Sequence, residues 1–380
     1  MKRIALVAGE ASGDQLGAGL IEAARRIRPD LEFVGVAGPA MRAAGCQAWF
    51  DAEDLSVMGL VEVLRHLPRL ASIKKKLTAR LMAEKPAVFV GIDAPDFNLR
   101  LAPDLHAGGI PTVQYVCPSV WAWRQGRARI LRDACDRVLC LLPFEAPYLE
   151  GHGVRATFVG HPLADQIPER SDAAAARRTL GITAASVVGL LPGSRMSEVG
   201  RLGPDFLRAA VRLSHDMPGL AFAAPMATPA VRRAFEQQIA VDAPGLELHL
   251  VDGRAREVIA ASDVVLLASG TVTLEAMLVG RPMVVAYRVA PVTYWTARLL
   301  NLVKVRHFSL PNLLAGEALV PEFLQGQVTP RNLARSAREL LGSPQRQEFL
   351  RSRFAELRRN LRRGASETAA RAVLAAAGLS

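Results

Sequence analysis

Two turns in the second half of the chain have the composition of phosphate sites. LPGSRMSE (Leu191–Glu198) follows an apolar run and opens a helical stretch. Gly193 allows close backbone approach, Ser194 can cap or donate, and Arg195 offers a forked, permanently charged donor set. ASGT (Ala268–Thr271) follows the apolar run Val264–Leu267 in the same way. There, free N–H groups and a helix dipole at Ser269, Gly270 and Thr271 favour an anion. Two such turns in one domain would clamp a diphosphate from two sides; ordinary capped turns are the alternative. Glu275 lies four residues after Thr271 and projects near the same mouth. A carboxylate there opposes a phosphate but accepts both hydroxyls of a ribose, unless it is a plain solvated glutamate. Neither turn ends in GK[ST], so ATP hydrolysis has no support, and GEASGDQLGAG lacks GxGxxG, which weakens a nicotinamide reading. In the first half, GIDAPDFN (Gly91–Asn98) places two carboxylates, Asp93 and Asp96, on one turn, with Pro95 restricting the backbone between them. Either can also cap the helix that follows.

The elements that position these turns repeat one rhythm. Short apolar runs at Ile4–Ala8, Phe33–Ala37, Val88–Ile92, Thr112–Val116, Val138–Leu142 and Thr157–Val159 alternate with stretches of helical period such as Leu16–Ile27 and Leu99–Ala107. Strands of that length joined by helices imply parallel pairing with helices on both faces. The rhythm restarts at Val187–Leu191 and continues through Leu220–Ala224, Leu246–Val251, Val264–Leu267 and Met283–Ala286. The fold class expected is α/β, with two Rossmann-like doubly wound domains facing a cleft. The first covers 1–165 and the second 172–345, with the boundary near Pro162–Asp172. An Arg-rich helical tail, 346–380, is expected to pack back on the first domain or on a partner subunit of a homodimer. In such sheets ligands bind outside the carboxyl ends of the strands. Nearly every strand end here carries Gly, Ser, Asp or Pro.

Composition narrows the partners. The 380 residues are 50% hydrophobic and 22% charged, a globular balance with ample core. Forty-seven Lys and Arg against thirty-six Asp and Glu give a net charge of +11, which favours an anionic partner. Positive charge is scattered, densest only at Arg351–Arg363, and no nucleic-acid-binding pattern appears. Nucleic acid is therefore not expected. Cys46, Cys117, Cys135 and Cys140 show no CxxC pairing and read as small buried hydrophobes of a reducing compartment. No cluster has metal-ligand spacing, so neither a metal nor another cofactor is expected. No apolar run reaches the roughly 18 residues of a membrane span, and no leader precedes the first strand, so the expected location is cytoplasmic.

AGEASGD, VGIDAPDFN, YVCPSVWAWRQ, LPFE, FVGHP, LLPGSR, ASGTVTLEA, MVVAYR and SLPNLLAG occur in that order between Ile4 and Phe323. Together they resemble the lipid-A-disaccharide synthase family of glycosyltransferases. Local departures are Cys117, where serine is expected before Pro118, and Met196-Ser197 after LPGSR. The resemblance implies a GT-B fold of two Rossmann domains. It also implies inverting transfer of 2,3-diacylglucosamine from UDP to 2,3-diacylglucosamine 1-phosphate, giving the β-1′,6-linked lipid A disaccharide and UDP. That reaction needs a base for the acceptor hydroxyl and charge stabilisation for departing UDP. The resemblance puts the base in GIDAPDFN, with Asp96 the first choice and Asp93 the second. Gly193, Ser194, Arg195, Ser269, Gly270, Thr271 and Glu275 would bind UDP. Glu10, Ser12, Gly13 and Asp14 on the first turn, with Asn312 in SLPN, would contact the acceptor or a sugar. His161 reads as structural or sugar-contacting, and Trp121 and Trp123 as packing residues. The alternatives on the same frame are a UDP-N-acetylglucosamine 2-epimerase or another lipid-linked-sugar transferase.

Acylated substrates call for an apolar surface. In Val57–Leu77, residues Leu60, Val61 and Leu64 share a helical face that Leu67 widens. Pro68 is expected to break or kink this helix, leaving Leu70 to a second short segment. Arg65, Arg69 and Lys74–Lys76 edge the stripe, the pattern of a helix lying in an anionic interface. Peripheral association with the cytoplasmic face of the inner membrane is the resulting expectation.

Overall fold

A computed structural model describes residues 2–55, 60–121, 126–290 and 306–379, with backbone alone for 60–67. The chain forms two compact units, one made of Met1–Asp165 with Asn360–Ser380 and the other of Gln166–Arg359.

The first unit carries strands β1 (Lys2–Ala8), β2 (Leu31–Ala37), β3 (Cys46–Asp51), β4 (Val88–Ile92), β5 (Thr112–Tyr115), β6 (Arg137–Cys140) and β7 (Ala156–Phe158). They form one seven-stranded sheet in the order β3-β2-β1-β4-β5-β6-β7. Every pairing in it is parallel. β4 is buried along its whole length because helices cover both faces, which is why such strands read as continuous apolar runs. The strand order reverses between β1 and β4, where Ala8 pairs with Ile92. The turns that follow these two strands therefore open side by side at the place where doubly wound sheets bind ligands.

The second unit carries β8 (Ser186–Leu191), β9 (Leu220–Met226), β10 (Leu248–Asp252), β11 (Val264–Ala268), β12 (Met283–Tyr287) and β13 (Glu322–Leu324). Its parallel sheet runs β10-β9-β8-β11-β12-β13, so the reversal falls between β8 and β11. LPGSR follows β8 and ASGT follows β11. The two candidate phosphate turns are thus neighbours.

β3 and β13 carried no apolar run in the sequence. β3 is mostly half-buried and β13 is three residues long, so neither shows the fully apolar pattern of a central strand. The helix Leu60–Glu84 runs straight through Pro68, contrary to the expected break. A proline removes one hydrogen bond, and here the packing of Ile73, Leu77 and Leu81 holds the helix on the sheet. The side chains of Leu60, Val61, Leu64 and Leu67, along with Val57 and Trp123, lie outside the described residues. Leu70 is half-buried.

The Arg-rich tail divides. Helix Pro344–Leu361 lies almost wholly in the second unit, where the Arg358 guanidinium donates to the Pro168 and Leu278 carbonyls at 2.7 and 3.0 Å. Helix Ala365–Ala376 belongs to the first, and its Ala369, Ala370, Val373 and Leu374 join the core around Ile4, Leu6 and Ile21. The Asp165 carboxylate caps that helix by accepting from Gly364 N and Ala365 N at 3.1 and 2.7 Å. Among the described residues, no helix is long and apolar enough to cross a membrane.

Candidate active site

In the second unit a cavity of about 510 Å³ lies at the carboxyl ends of four adjacent strands. Gly193, Ser194, Arg195 and Glu198 after β8 line it, with Ser269–Val272 and Glu275 after β11. Pro225 and Ala227 from the end of β9, and Gly253, Arg254 and Ala255 after β10, complete the wall. All seven residues expected to bind UDP therefore meet in one place. The β9 and β10 residues were missed because VDGRARE reads as an ordinary polar connector.

The ASGT turn is rigid for visible reasons. Ser269 N donates to the Ala286 carbonyl at 2.9 Å, and Ser269 Oγ donates to the Phe308 carbonyl. Ser269 is thus an anchor of the turn, and its hydroxyl proton is already placed. Gly270 has φ 153°, which favours glycine, and precedes the helix Thr271–Val279. Thr273 N donates to the Gly270 carbonyl at 3.0 Å, which leaves the Thr271 and Val272 N–H groups without a backbone partner among the described residues, at a helix start where the dipole favours an anion. Below the turn, the Glu322 carboxylate accepts from Phe308 N and Ser309 N at 3.1 and 2.7 Å, and the Tyr287 and Phe308 rings stack at 5.9 Å.

Glu275 is half-buried. Burial raises its pKa above the ordinary glutamate value, and nearby Arg256 opposes that shift. Arg254 holds φ 52°, a left-handed conformation that costs a non-glycine residue roughly 1–2 kcal/mol, and pairs with Glu257. Arg195 is 60% exposed, with its guanidinium 3.5 Å from Glu198.

The first unit builds a second arrangement at its own strand reversal. Asp93 and Ala94 both hold left-handed φ values, 50° and 40°. The strain is held in place by the backbone of Asp93. Its N–H donates to the Tyr115 carbonyl at 2.8 Å, while its carbonyl accepts from Asn98 Nδ2 at 2.9 Å and Gln114 Nε2 at 3.1 Å. Asn98 and Gln114 are both buried. Gly9 lets the two turns touch, since a Cβ there would stand 2.9 Å from Ala94 Cβ. The Asp93 carboxyl is held above its ordinary pKa by burial and, next, by the charge of Glu10, with the Ala94 N–H pulling the other way. The N-cap position of the helix Pro95–Ala107 is Ala94, so neither Asp93 nor Asp96 occupies it. Asp96 is exposed and ion-paired with Arg127.

Three residues expected to contact the acceptor or a sugar are engaged within the fold. The buried Asp14 carboxylate accepts from Gly38 N, Ala40 N and Met41 N at 2.9, 2.8 and 3.0 Å. Gly13 is buried against the Ile92 carbonyl. Asn312 is buried and spends its amide on Val320, donating to the carbonyl at 2.9 Å and accepting from the N–H at 2.8 Å. Glu10 and Ser12 are exposed.

His161 Nδ1 accepts from Leu163 N at 3.2 Å, and burial drives its pKa down to about 4, so the ring is neutral near pH 7. Among the described residues, Cys117, Cys140 and Glu145 bring their ligand-type atoms within 4.8 Å of one another, a grouping the sequence spacing does not show. The Glu145 carboxylate is occupied by Trp121 Nε1, Leu141 N and Leu142 N at 3.2, 3.1 and 3.0 Å.

Comparison with known proteins fixes the family. The family model for lipid-A-disaccharide synthetase matches residues 4–376. Lipid-A-disaccharide synthase of Alkalilimnicola ehrlichii is 54% identical over 99% of both chains. That of Xylella fastidiosa is 50% identical over 98% of this chain and 97% of its own. Among solved structures, S. aureus MnaA with UDP has a TM-score of 0.67 at 14% identity, covering 100% of this chain and 98% of its own. UDP-GlcNAc 2-epimerase from Neisseria meningitidis bound to UDP-GlcNAc has a TM-score of 0.65 at 14% identity, covering 99% of this chain and 100% of its own. At that identity the likeness carries the fold, the GT-B class of two Rossmann-like domains. With a whole-chain family match and relatives above half identity, the chain belongs to the lipid-A-disaccharide synthase family.

Proposed function

We propose that this chain transfers 2,3-diacylglucosamine from UDP to 2,3-diacylglucosamine 1-phosphate, forming the β-1′,6-linked disaccharide and UDP. The observation that carries the reading is the cavity in the second unit, where two glycine turns, the start of a helix, Arg195 and Glu275 converge. Its size is that of a nucleotide-scale ligand. The helix N-terminus at Gly270–Val272 and the Arg195 guanidinium receive the diphosphate. They stabilise the charge that builds on UDP as the anomeric bond breaks, the work a cation does elsewhere. Glu275 accepts the ribose hydroxyls. The remaining wall, Pro225, Ala227 and Gly253–Ala255, is left for the base.

Asp93 is the general base in this reading, in place of Asp96. A base for a sugar hydroxyl works best with a pKa moved toward the operating pH, and burial beside Glu10 moves Asp93 in that direction. Its strained turn, tethered by three hydrogen bonds to the Asp93 backbone, is what a fixed base requires. Asp96 is exposed and engaged by Arg127. In the step, Asp93 takes the proton of the acceptor hydroxyl as its oxygen attacks the anomeric carbon, and the electron pair of the breaking bond leaves with UDP. Glu10, whose charge reaches Asp93, and exposed Ser12 on the same turn are left for acceptor contacts, and Asn312 contributes by holding its own loop. The helix Leu60–Glu84 rests on an anionic membrane surface from which acylated substrates are drawn.

The test is transfer of radiolabel from UDP-2,3-diacylglucosamine to the acylated 1-phosphate in detergent, with and without EDTA. Disaccharide and UDP are expected in both. Asp93→Asn is expected to lower turnover by about 10²-fold or more, the scale of general-base catalysis, with UDP affinity unchanged. Folded protein giving no disaccharide rejects the reading, and a larger loss in Asp96→Asn returns the base to Asp96.

A further inference from the structure

The glycine of LPGSR was read as making room for a phosphate, but a side chain of the same chain already fills that room. Glu198 folds back over the turn, and its Oε2 accepts from Ser194 N at 3.0 Å and Arg195 N at 3.3 Å. Its Oε1 lies 3.5 Å from Arg195 Nη1. A Cβ on Gly193 would stand 2.4 Å from Glu198 Cβ and 2.5 Å from its Oε2, and Gly193 also holds φ 129°. The room that glycine leaves at this position is therefore taken up by Glu198, and the φ is a separate reason for glycine. The two N–H groups that could cradle a phosphate are bound to a carboxylate.

A phosphate entering that turn would have to displace Glu198 or meet its charge. The turn after β11 presents no such obstacle: among the described residues no carboxylate sits on it, and Thr271 N and Val272 N make no hydrogen bond while Thr273 N donates to the Gly270 carbonyl at 3.0 Å. We propose that Glu198 is a positioning residue of the nucleotide site. It fills the LPGSR turn as a resident anion, holds Arg195 so that its guanidinium alone serves the diphosphate, and directs the phosphates to the turn at Ser269–Val272. This rests on the reading of the cavity as the UDP site. It divides two turns of similar composition into a receiving turn and an aiming turn.

A plain helix cap at Glu198 would alter stability alone, whereas a positioning role couples Glu198 to Arg195 in nucleotide affinity. The experiment is calorimetric titration of UDP into the full chain and into Arg195→Ala, Glu198→Ala, Glu198→Gln and the double alanine variant, with thermal melts of each. Arg195→Ala is expected to weaken UDP roughly tenfold or more, as loss of a charge-assisted hydrogen bond does. Glu198→Ala is expected to lose a comparable factor, and the double variant to be little worse than either single, the mark of residues that act through one another. Glu198→Gln keeps an oxygen for the turn and loses the charge, so its UDP affinity stays within about threefold or tightens, given that removing a like charge relieves repulsion. UDP affinity unchanged in Glu198→Ala, or losses that multiply in the double variant, overturns the proposal. Wild-type protein that binds no UDP rejects the cavity reading itself, a failure distinct from either of these.

Discussion

Asn98 Nδ2 lies 2.9 Å from the carbonyl of Asp93, five residues upstream, and donates to it from a fully buried position at the start of the helix Pro95–Ala107. The same amide reaches the Val7 carbonyl at 3.3 Å, so one side chain ties the end of β1 to the turn after β4. Asn98 thus acts with Gln114 and the Tyr115 carbonyl to hold two successive non-glycine residues in left-handed conformations. The expected outcome of Asn98→Ala is a loss of about 1–3 kcal/mol of stability, from buried carbonyls left unpaired, in a denaturant melt. Turnover is expected to fall about tenfold or more at unchanged UDP affinity, because the turn relaxes and moves the base. Full turnover in a destabilised variant would separate Asn98 from the base.

If Asp93 is the base, as proposed, Glu10 contributes to its pH response after burial. Burial and the Glu10 charge both raise the Asp93 pKa, and the base must be ionised to accept a proton. Activity is therefore lost as pH falls through a value above the ordinary aspartate range. Glu10→Gln removes one of the two causes, so the acidic limb of the kcat/KM profile should move to lower pH. An unmoved limb would mean that another group carries it.

The proposed function places Glu275 on the ribose. Glu275→Ala is expected to weaken UDP by about tenfold, the scale of hydrogen bonds to a charged group. The same substitution should change the affinity of 2′,3′-dideoxy-UDP little, since that ligand offers the carboxylate no hydroxyl. Equal losses for both ligands would assign Glu275 to the shape of the cavity.

How much of this was legible follows from where each signal resides. Central strands and their glycine turns announce themselves because parallel sheets bury whole runs and leave special residues only at the ends. All seven expected nucleotide residues line one cavity for that reason. Tethers are harder to see. Asp14 and Asn312 have the residue types of ligand contacts, and only their geometry shows the partners to be Gly38–Met41 and Val320. Asp93 and Asp96 are alike in sequence, and burial beside Glu10 distinguishes them. Glu198 is hidden in the same way, because a helix glutamate after a glycine turn resembles any other solvated acid.

Glu145 offers a prediction about stability. Its carboxyl is 4% exposed, and burial raises its pKa to about 7, against three donors that favour the charged form. A group whose folded pKa lies above its ordinary value contributes most to stability when protonated in both states. That contribution is lost as pH rises from the ordinary glutamate range through about 7. The midpoint of thermal unfolding is expected to fall over that interval in wild type and to fall less in Glu145→Gln. Parallel slopes would locate the titration elsewhere.

The long helix Leu60–Glu84 decides the membrane reading. Ile73, Leu77 and Leu81 are buried in the unit, while Leu70 is half-buried one turn before Ile73. Two of the flanking basic residues are already matched, Arg69 by Asp54 and Lys74 by Asp104 at 3.2 Å. Lys75 and Lys76 are exposed and make no ion pair among the described residues. They are therefore the charges with most to gain from an anionic surface, at about 1 kcal/mol each. Lys75→Ala with Lys76→Ala should weaken partitioning onto vesicles of anionic lipid by roughly 30-fold, and little onto neutral vesicles. Leu70→Glu should weaken both, since it removes apolar contact and adds repulsion. Partitioning unchanged in both variants would leave the helix as a covered element of the fold, with substrates delivered to the enzyme by another route.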